Sequence, residues 1–192
     1  MSQAPWSERM APPADPLVRL QVGGMDRPAL HRALAAREIG LNDSARALLA
    51  HPAFAHRAAE RITVARRTVG ELGLTAGGSL SEVLAAVVEQ GLLLCPPDTG
   101  PYLRLVLTDQ APSQDRTLQV GQAPEGSLTI ASAPVSPDDE FPKGFYLRVV
   151  EGVRWLRGYR CDDLHQWAAE DAFVVRLPDQ GPGSTAVSRA GG

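Results

Sequence analysis

The sequence predicts an α+β fold, in which short N-terminal helices and one capped helix pack on a mainly antiparallel sheet from the C-terminal half. Two observations predict it. Apolar residues recur at helical spacing as far as residue 91, and beyond it they alternate with polar residues in short runs. Helices followed by strands are typical of α+β domains, whose helices cover one face of an antiparallel sheet.

Composition limits the class of protein. The 192 residues are 44% hydrophobic, which is enough for one domain with a real core. The net charge of −3 argues against a protein that coats DNA or anionic membranes through bulk charge. No run approaches the roughly 18 apolar residues of a membrane span, and two cysteines are too few for a disulfide scaffold. We therefore expect a soluble cytoplasmic protein, with its oligomeric state left open.

Both ends of the chain differ in composition from its middle. The start is rich in proline and has little periodic apolar content, with a short ordered stretch expected at 17–22, and the end is rich in Gly, Pro and Ser. The predicted division is a mobile arm at 1–24, a single α+β domain at 25–177 (a helical part at 25–60, then a mixed part at 61–177) and a disordered tail at 178–192.

Capping residues mark the predicted helices. Asp26 and Asn42 each precede a segment of helical spacing and are suited to accept hydrogen bonds from the first free backbone N–H groups. A third helical piece is expected at 53–60. The clearest helix begins at Ser79, because Ser79 and Glu82 have the spacing of a capping box, in which each side chain satisfies a backbone donor near the other.

Strands are predicted mainly after residue 91. The segment 102–108 alternates leucines with other residues, as a half-buried strand does, and shorter strands are expected at 127–131 and 173–177. The segment 62–74 has β-branched residues interrupted by arginines and is left undecided. The strongest signal is a hairpin, 145–160, whose two strands are joined by Glu151-Gly152, with the type of turn left open.

One face of the predicted hairpin carries aromatic and guanidinium groups. A two-residue turn sets Arg148 opposite Trp155 and Tyr146 opposite Arg157, and the other face is the core face. Such a face either stabilises itself in solvent by cation–π contacts or forms a platform for a base, an acidic peptide or a phosphorylated ligand. A strand at 102–108 beside it would enlarge the platform. The predicted ligand or partner face is Tyr102, Arg104, Tyr146, Arg148, Trp155, Arg157 and Tyr159.

Other polar clusters predict neither a metal site nor a cofactor site. Cys161 and His165 would share a face of a helical turn, but a zinc site needs about four ligands. The acidic segment 137–143 has a superficial likeness to the array of metal-dependent nucleases, but its acid and lysine have the wrong spacing, so an acidic loop is expected. No nucleotide-binding glycine pattern or nucleophile-elbow motif occurs. No catalytic residue is predicted.

The block 71–110 carries a resemblance. Its pattern, with the later hairpin, covers about half of the chain and reads Glu71-Leu72-Gly73, Gly91-Leu92-Leu93-Leu94-Cys95-Pro96, Gly100-Pro101, Leu103-Arg104-Leu105 and Asp109-Gln110. It resembles a group of uncharacterised bacterial proteins. The resemblance implies an ordered domain over 62–177 and no activity, cofactor or site residue.

Three functions follow as hypotheses. The first is a non-enzymatic binding or regulatory module, whose partner is a protein or a small anionic ligand. The second is an assembly protein in which the predicted face is a subunit interface. The third is a small hydrolase with a thiol nucleophile, and a low thiol pKa would support it. Its candidate residues are Cys161 or Cys95, His165, and Asp163 or Asp109.

Overall fold

The computed structural model describes residues 16–113, 124 and 126–179. These residues form four α-helices and seven strands, which confirms the predicted α+β class. In chain order the elements are β1 (Pro16–Val22), α1 (Arg27–Ala36), β2 (Gly40–Leu41), α2 (Asp43–Ala50), a 3₁₀ turn (Pro52–Phe54), β3 (Glu60–Thr68), α3 (Leu80–Glu89), α4 (Thr99–Val106), β4 (Leu128–Ile130), β5 (Gly144–Val150), β6 (Val153–Tyr159) and β7 (Ala172–Arg176).

The strands form one mixed sheet in the order β1-β3-β7-β4-β5-β6-β2. Neighbouring strands are antiparallel, except that β4 runs parallel to β7 and β2 runs parallel to β6. The sheet is therefore mainly antiparallel, as predicted. However, β1, β2 and β3 come from the N-terminal half, so the helices and strands alternate more than the sequence indicates.

Both faces of the sheet are covered. The first face carries Leu147 and Leu156, which join the buried side chains of α1, α2 and α4 in one core. The second face carries Phe173 and Val175, which join the buried side chains of α3 and Trp167 in another. None of the helices in the described ranges has the length and apolar content needed to cross a membrane.

The ordered chain begins before residue 25. Strand β1 pairs with β3, with Leu20 opposite Ile62 and Val22 opposite Glu60, so the ordered stretch expected at 17–22 is a strand of the sheet. Leu20 and Val22 are buried in the first core, which explains why this short stretch is held. Residues 1–15 of the predicted arm and 180–192 of the predicted tail lie outside the described residues.

Side-chain caps confirm three predicted helix starts. Asp26 accepts a hydrogen bond from the Ala29 N–H at 2.8 Å. Asn42 caps α2 in the same way, through its contact with the third residue along the chain. Ser79 and Glu82 form the complete capping box at the start of α3.

The predicted helix at 53–60 is wrong. Only the 3₁₀ turn is helical there, and Glu60 already belongs to β3. The backbone of this segment bonds outward, because the Gly24 N–H donates to the Arg57 carbonyl at 2.7 Å. A segment whose backbone groups bond to distant partners does not need hydrogen bonds within a helix. The undecided segment 62–74 begins in the same strand β3, which continues to Thr68.

The predicted strand at 102–108 is also wrong, because helix α4 covers most of it. Leu103 and Arg104 are fully buried, and Tyr102 and Leu105 nearly so. The helix packs against α1, β1, β5 and β6 together. Only Val106, the last residue of the helix, is exposed. A helix whose other residues are all buried has no polar stripe to reveal a period of 3.6, and chance alternation then resembles a strand.

The hairpin has the predicted register. Val150 lies opposite Val153, Arg148 opposite Trp155 and Tyr146 opposite Arg157. Glu151 and Gly152 both have positive φ, 50° and 78°, which identifies the turn as type I′. This turn matches the twist of the flanking strands, so it sets the pairing of the whole hairpin.

An ion-pair network joins the start of β3 to the start of α4. The Arg57 guanidinium donates to Asp98 at 3.1 Å and 3.2 Å and to Glu60 at 2.9 Å, and Arg176 pairs with Glu60 at 2.6 Å. Hydrogen bonds from Arg57 lower the pKa of Glu60 most, with a further contribution from Arg176. Asp98 is 7% exposed, so its pairing with Arg57 is the more protected of the two.

Replacing Arg57 with methionine is expected to lower the free energy of unfolding by about 1.5–3 kcal/mol at pH 7, the range for hydrogen bonds to charged groups. The loss should be smaller at pH 3. Glu60 has a lowered pKa in the fold, so its pairing stabilises the native state above its unfolded pKa of about 4.3 and fades as pH falls. Urea unfolding at both pH values measures this. Arg61→Met, at an exposed neighbour, is the control, and an equal loss at both pH values would contradict the assignment.

Candidate functional site

The candidate site lies on the second face of the sheet, over β5 and β6. We call it the Arg/aromatic face and define it by five side chains that the alternation of the two strands brings to one side: Tyr146, Arg148, Trp155, Arg157 and Tyr159. These are five of the seven residues that the sequence predicted. Cross-strand pairing continues their row, since Thr129 of β4 lies opposite Tyr146.

The other two predicted residues do not belong to this face. Tyr102 and Arg104 lie on α4, which packs on the opposite side of the sheet, so their assignment to the face is wrong. The Tyr102 hydroxyl accepts a hydrogen bond from the Met25 N–H at 3.1 Å. Arg104 donates to the Gln110 side chain at 2.7 Å and to the Leu107 carbonyl. Both residues thus hold α4 in place.

The Arg/aromatic face is not the open platform that the sequence suggested. Arg148 is 1% exposed and Tyr146 is 7% exposed, while Trp155, Arg157 and Tyr159 are half-buried. Hairpin patterning cannot show this, because it only assigns residues to one face or the other. The face is therefore a largely buried site whose half-buried side is formed by β6.

Arg148 is the most unusual residue of the site. Its Nε and Nη2 atoms are buried and have no hydrogen-bond partner. In the described part of the chain, no carboxylate forms an ion pair with it. Burying donors of a charged group without acceptors is costly, so a folded protein usually pairs them. The position therefore has a binding capacity that the described residues do not use.

Arg157 is held by an aromatic ring. The central carbon of its guanidinium lies 5.3 Å from the centroid of the Trp155 ring, a cation–π distance. Its Nε is buried and has no hydrogen-bond partner. Trp155 in turn leans on Gly40 of β2, because a Cβ added at Gly40 would lie only 2.6 Å from two carbons of the indole. The edge strand β2 thus fixes the ring that fixes the guanidinium.

Sequence reasoning missed the role of Gly40. Gly40 is not among the residues predicted for the face. The only local signal was the absence of a side chain, which fits a helix end as well as a close approach. The parallel pairing of Gly40 with Trp155 joins residues that are far apart in the chain.

The two tyrosines supply neutral donors. Burial raises the pKa of Tyr146, and the nearby Arg157 and Arg148 act in the opposite direction without reversing the shift. The Tyr146 phenol therefore stays protonated near neutral pH, on the same face of the hairpin as both guanidiniums. Burial also raises the pKa of Tyr159, whose hydroxyl has no hydrogen-bond partner. Its ring packs on Trp167 at a centroid distance of 5.7 Å.

The cysteines do not have the properties of catalytic nucleophiles. Burial raises the pKa of the Cys95 thiol to about 12 and that of the Cys161 thiol to about 11. A reactive cysteine needs the opposite shift, since the thiolate is the attacking species. The Cys95 thiol instead donates to the Val174 carbonyl at 3.4 Å. Nothing in this geometry favours the thiol hydrolase.

The remaining polar clusters have structural partners. His165 packs edge-on against Trp167 at a centroid distance of 4.2 Å. Lys143 donates to the Asp139 carboxylate at 2.8 Å and to the Asp138 carbonyl at 3.1 Å, so the segment 137–143 folds as an acidic loop around its own lysine. Among the residues that the structure describes, no group of three or more His, Cys, Asp or Glu side chains is placed to hold a metal ion.

The comparisons with known proteins indicate no function for this chain. The resemblance of the block 71–110 to uncharacterised bacterial proteins stays a prediction. No protein-family model, no curated protein and no solved structure matches the chain.

Proposed function

We propose that this chain is a binding or regulatory module, without an enzymatic activity of its own, whose Arg/aromatic face holds a negatively charged ligand. One observation carries the proposal: Arg148 is 1% exposed and keeps two guanidinium nitrogens without a hydrogen-bond partner. A half-buried second guanidinium, that of Arg157, lies on the same face. Two guanidinium groups that have N–H donors without a partner, on a largely buried face, favour the binding of an anion.

A purely structural role explains Arg148 less well. An apolar side chain of similar length would fill the same space without the cost of burying a charge, and such replacements in other proteins are often neutral or stabilising. The neighbouring rings would still pack. An arginine kept at this position therefore suggests a ligand that compensates its charge.

The alternatives have less support. A subunit interface would need the face to be accessible to a second chain, but Tyr146 and Arg148 are already buried within one chain. The thiol hydrolase would need an activated cysteine, and both thiols have raised pKa values.

We also propose a cytoplasmic location, because both cysteines are free and a reducing compartment keeps them so.

A negatively charged probe is expected to stabilise the protein against heat. Thermal unfolding is measured in sodium citrate, sulfate, phosphate or acetate and compared with sodium chloride at equal ionic strength. A probe at 100 times its Kd should add about 2.7 kcal/mol to the free energy of unfolding. Arg148→Met should lose this gain, yet be as stable as the unmodified protein in chloride, because it removes the uncompensated buried charge.

The matched control is Arg154→Met on β6, the hairpin strand that pairs with the strand of Arg148. Arg154 lies on the first face and donates to the Arg37 carbonyl at 3.2 Å, so this variant has the same change of net charge and leaves the site intact. It should keep the response to the probe. A protein that no probe stabilises, or an Arg148→Met variant that responds like the unmodified protein, would refute the proposal.

A further inference from the structure

We infer that the ligand of the Arg/aromatic face carries a phosphoryl group, which Arg148 holds side-on with two parallel hydrogen bonds and Arg157 contacts from the half-buried side. This inference rests on the proposed function and makes it specific. It follows from the number and the positions of the guanidinium nitrogens that have no hydrogen-bond partner in the two arginines.

The free atoms of Arg148 form a fork. Nε and Nη2 lie on the same edge of the planar guanidinium, and both lack a hydrogen-bond partner. Their N–H groups point the same way at a spacing that matches two oxygens of one carboxylate or phosphate group. A single point charge, such as a chloride ion, would use the charge of this edge but not its geometry.

Arg157 adds a second donor from the neighbouring strand. The register places it diagonally across the hairpin from Arg148, a spacing of about 7–8 Å between main-chain positions that long side chains can close. Its Nε is free, and its guanidinium is confined by the Trp155 ring at 5.3 Å. Tyr146 lies on the same face, directly opposite Arg157 and two residues from Arg148 along β5. Both guanidiniums lower the pKa of its phenol against the larger effect of burial.

The number of donors and charges favours phosphate over carboxylate. The site offers three guanidinium nitrogens without a hydrogen-bond partner and two positive charges, and no carboxylate in the described ranges forms an ion pair with either arginine. A phosphoryl group has three strong acceptor oxygens and a charge near −1.5 to −2 at neutral pH, whereas a carboxylate has two oxygens and one charge. The phosphoryl group therefore complements both arginines together.

Titration calorimetry with inorganic phosphate and with acetate, at equal ionic strength, tests the inference on the full chain. We expect phosphate to bind at least about tenfold more tightly, since one additional charge-assisted hydrogen bond corresponds to that factor. Phosphoserine is the third probe. Tighter binding of phosphoserine than of phosphate would identify a phosphate ester as the ligand, and equal binding would identify free phosphate, and both results agree with a phosphoryl site.

Arg148→Lys separates the fork from the charge. Lysine keeps the positive charge but cannot donate two parallel hydrogen bonds, so phosphate affinity should fall at least about tenfold. Arg154→Met should bind phosphate like the unmodified protein, and far-ultraviolet circular dichroism verifies the fold of each variant. A lysine variant that binds phosphate equally well, or an unmodified protein that prefers acetate, would overturn the phosphoryl inference and leave the proposed anion site standing. Binding of none of the probes would refute both.

Discussion

Replacing Gly158 with alanine is expected to lower the free energy of unfolding by about 3 kcal/mol. A Cβ at this position would lie 2.6 Å from the Ser44 carbonyl carbon and 2.8 Å from the Ala45 nitrogen. These atoms are backbone at the start of α2, so they cannot turn aside as the end of a flexible side chain would. Overpacking of this kind typically costs about 1–3 kcal/mol before any hydrogen bond is lost.

The same approach holds a set of hydrogen bonds that alanine would disturb. The Asn42 amide donates to the Gly158 carbonyl at 2.9 Å and accepts from the Gly158 N–H at 2.8 Å. Its oxygen also accepts from the Ala45 N–H at 2.9 Å, which caps α2. The Asn42 side chain thus caps α2 and pairs with both backbone groups of Gly158 on β6. Moving α2 away from β6 would weaken these hydrogen bonds, at a cost of about 1 kcal/mol for each bond lost.

Urea unfolding of Gly158→Ala and Gly91→Ala measures the effect. Gly91 has a φ of 72° and no heavy atom within 4 Å of an added Cβ, so its substitution reports only the strain of a left-handed residue, about 1–2 kcal/mol. Gly158 needs no positive φ, and its cost should come from contact alone. If Gly158→Ala loses no more than Gly91→Ala, the close approach of α2 to β6 is not what this glycine provides.

Trp167→Ala should have an effect of similar size or larger, about 3–5 kcal/mol. Trp167 is 3% exposed and its ring meets those of Phe173 at 5.6 Å, Tyr159 at 5.7 Å and His165 at 4.2 Å. Its backbone exchanges two hydrogen bonds with Gly78, just before α3. Trp167 therefore joins the loop before β7 to Gly78 through its backbone and to Tyr159 of the Arg/aromatic face through its ring.

Trp167→Phe is the matched variant, because it keeps a ring in the same place and should lose about 1.5 kcal/mol or less. Chemical denaturation of both variants distinguishes the loss of an aromatic contact from the loss of volume. The phenylalanine variant should also keep its stabilisation by phosphate, since the ring of Trp167 packs on Tyr159, whereas the ring that contacts Arg157 is that of Trp155. A loss below 1.5 kcal/mol for the alanine variant as well would show that the ring does not hold these elements together.

Features with local causes could be predicted from the sequence. The capping box of Ser79 and Glu82 needs only residues three apart, and the structure shows both of its bonds. The hairpin register needs only a two-residue turn, and the pairing of Arg148 with Trp155 follows from counting outward from it. For the same reason, five of the seven predicted site residues share one face.

Features that depend on distant partners could not be predicted. The segment 102–108 alternates like a strand, but most of it lies in helix α4, whose residues as far as Leu105 are buried by distant elements that no local pattern records. The irregular segment before Glu60 is held by Gly24 and by the ion pair of Arg57 with Asp98. Such contacts join residues that are far apart in the sequence. They stabilise the segment only once the core has formed, so a short run of sequence does not reveal them.

The sequence by itself determined which residues of β5 and β6 lie together, because alternation along a strand is a property of the backbone. Only the tertiary structure decided that this face is an interior one. It did so by covering both sides of the sheet and by placing Gly40 beneath Trp155. Burial depends on what packs above a face, and that is why the free donors of Arg148 emerged only from the fold.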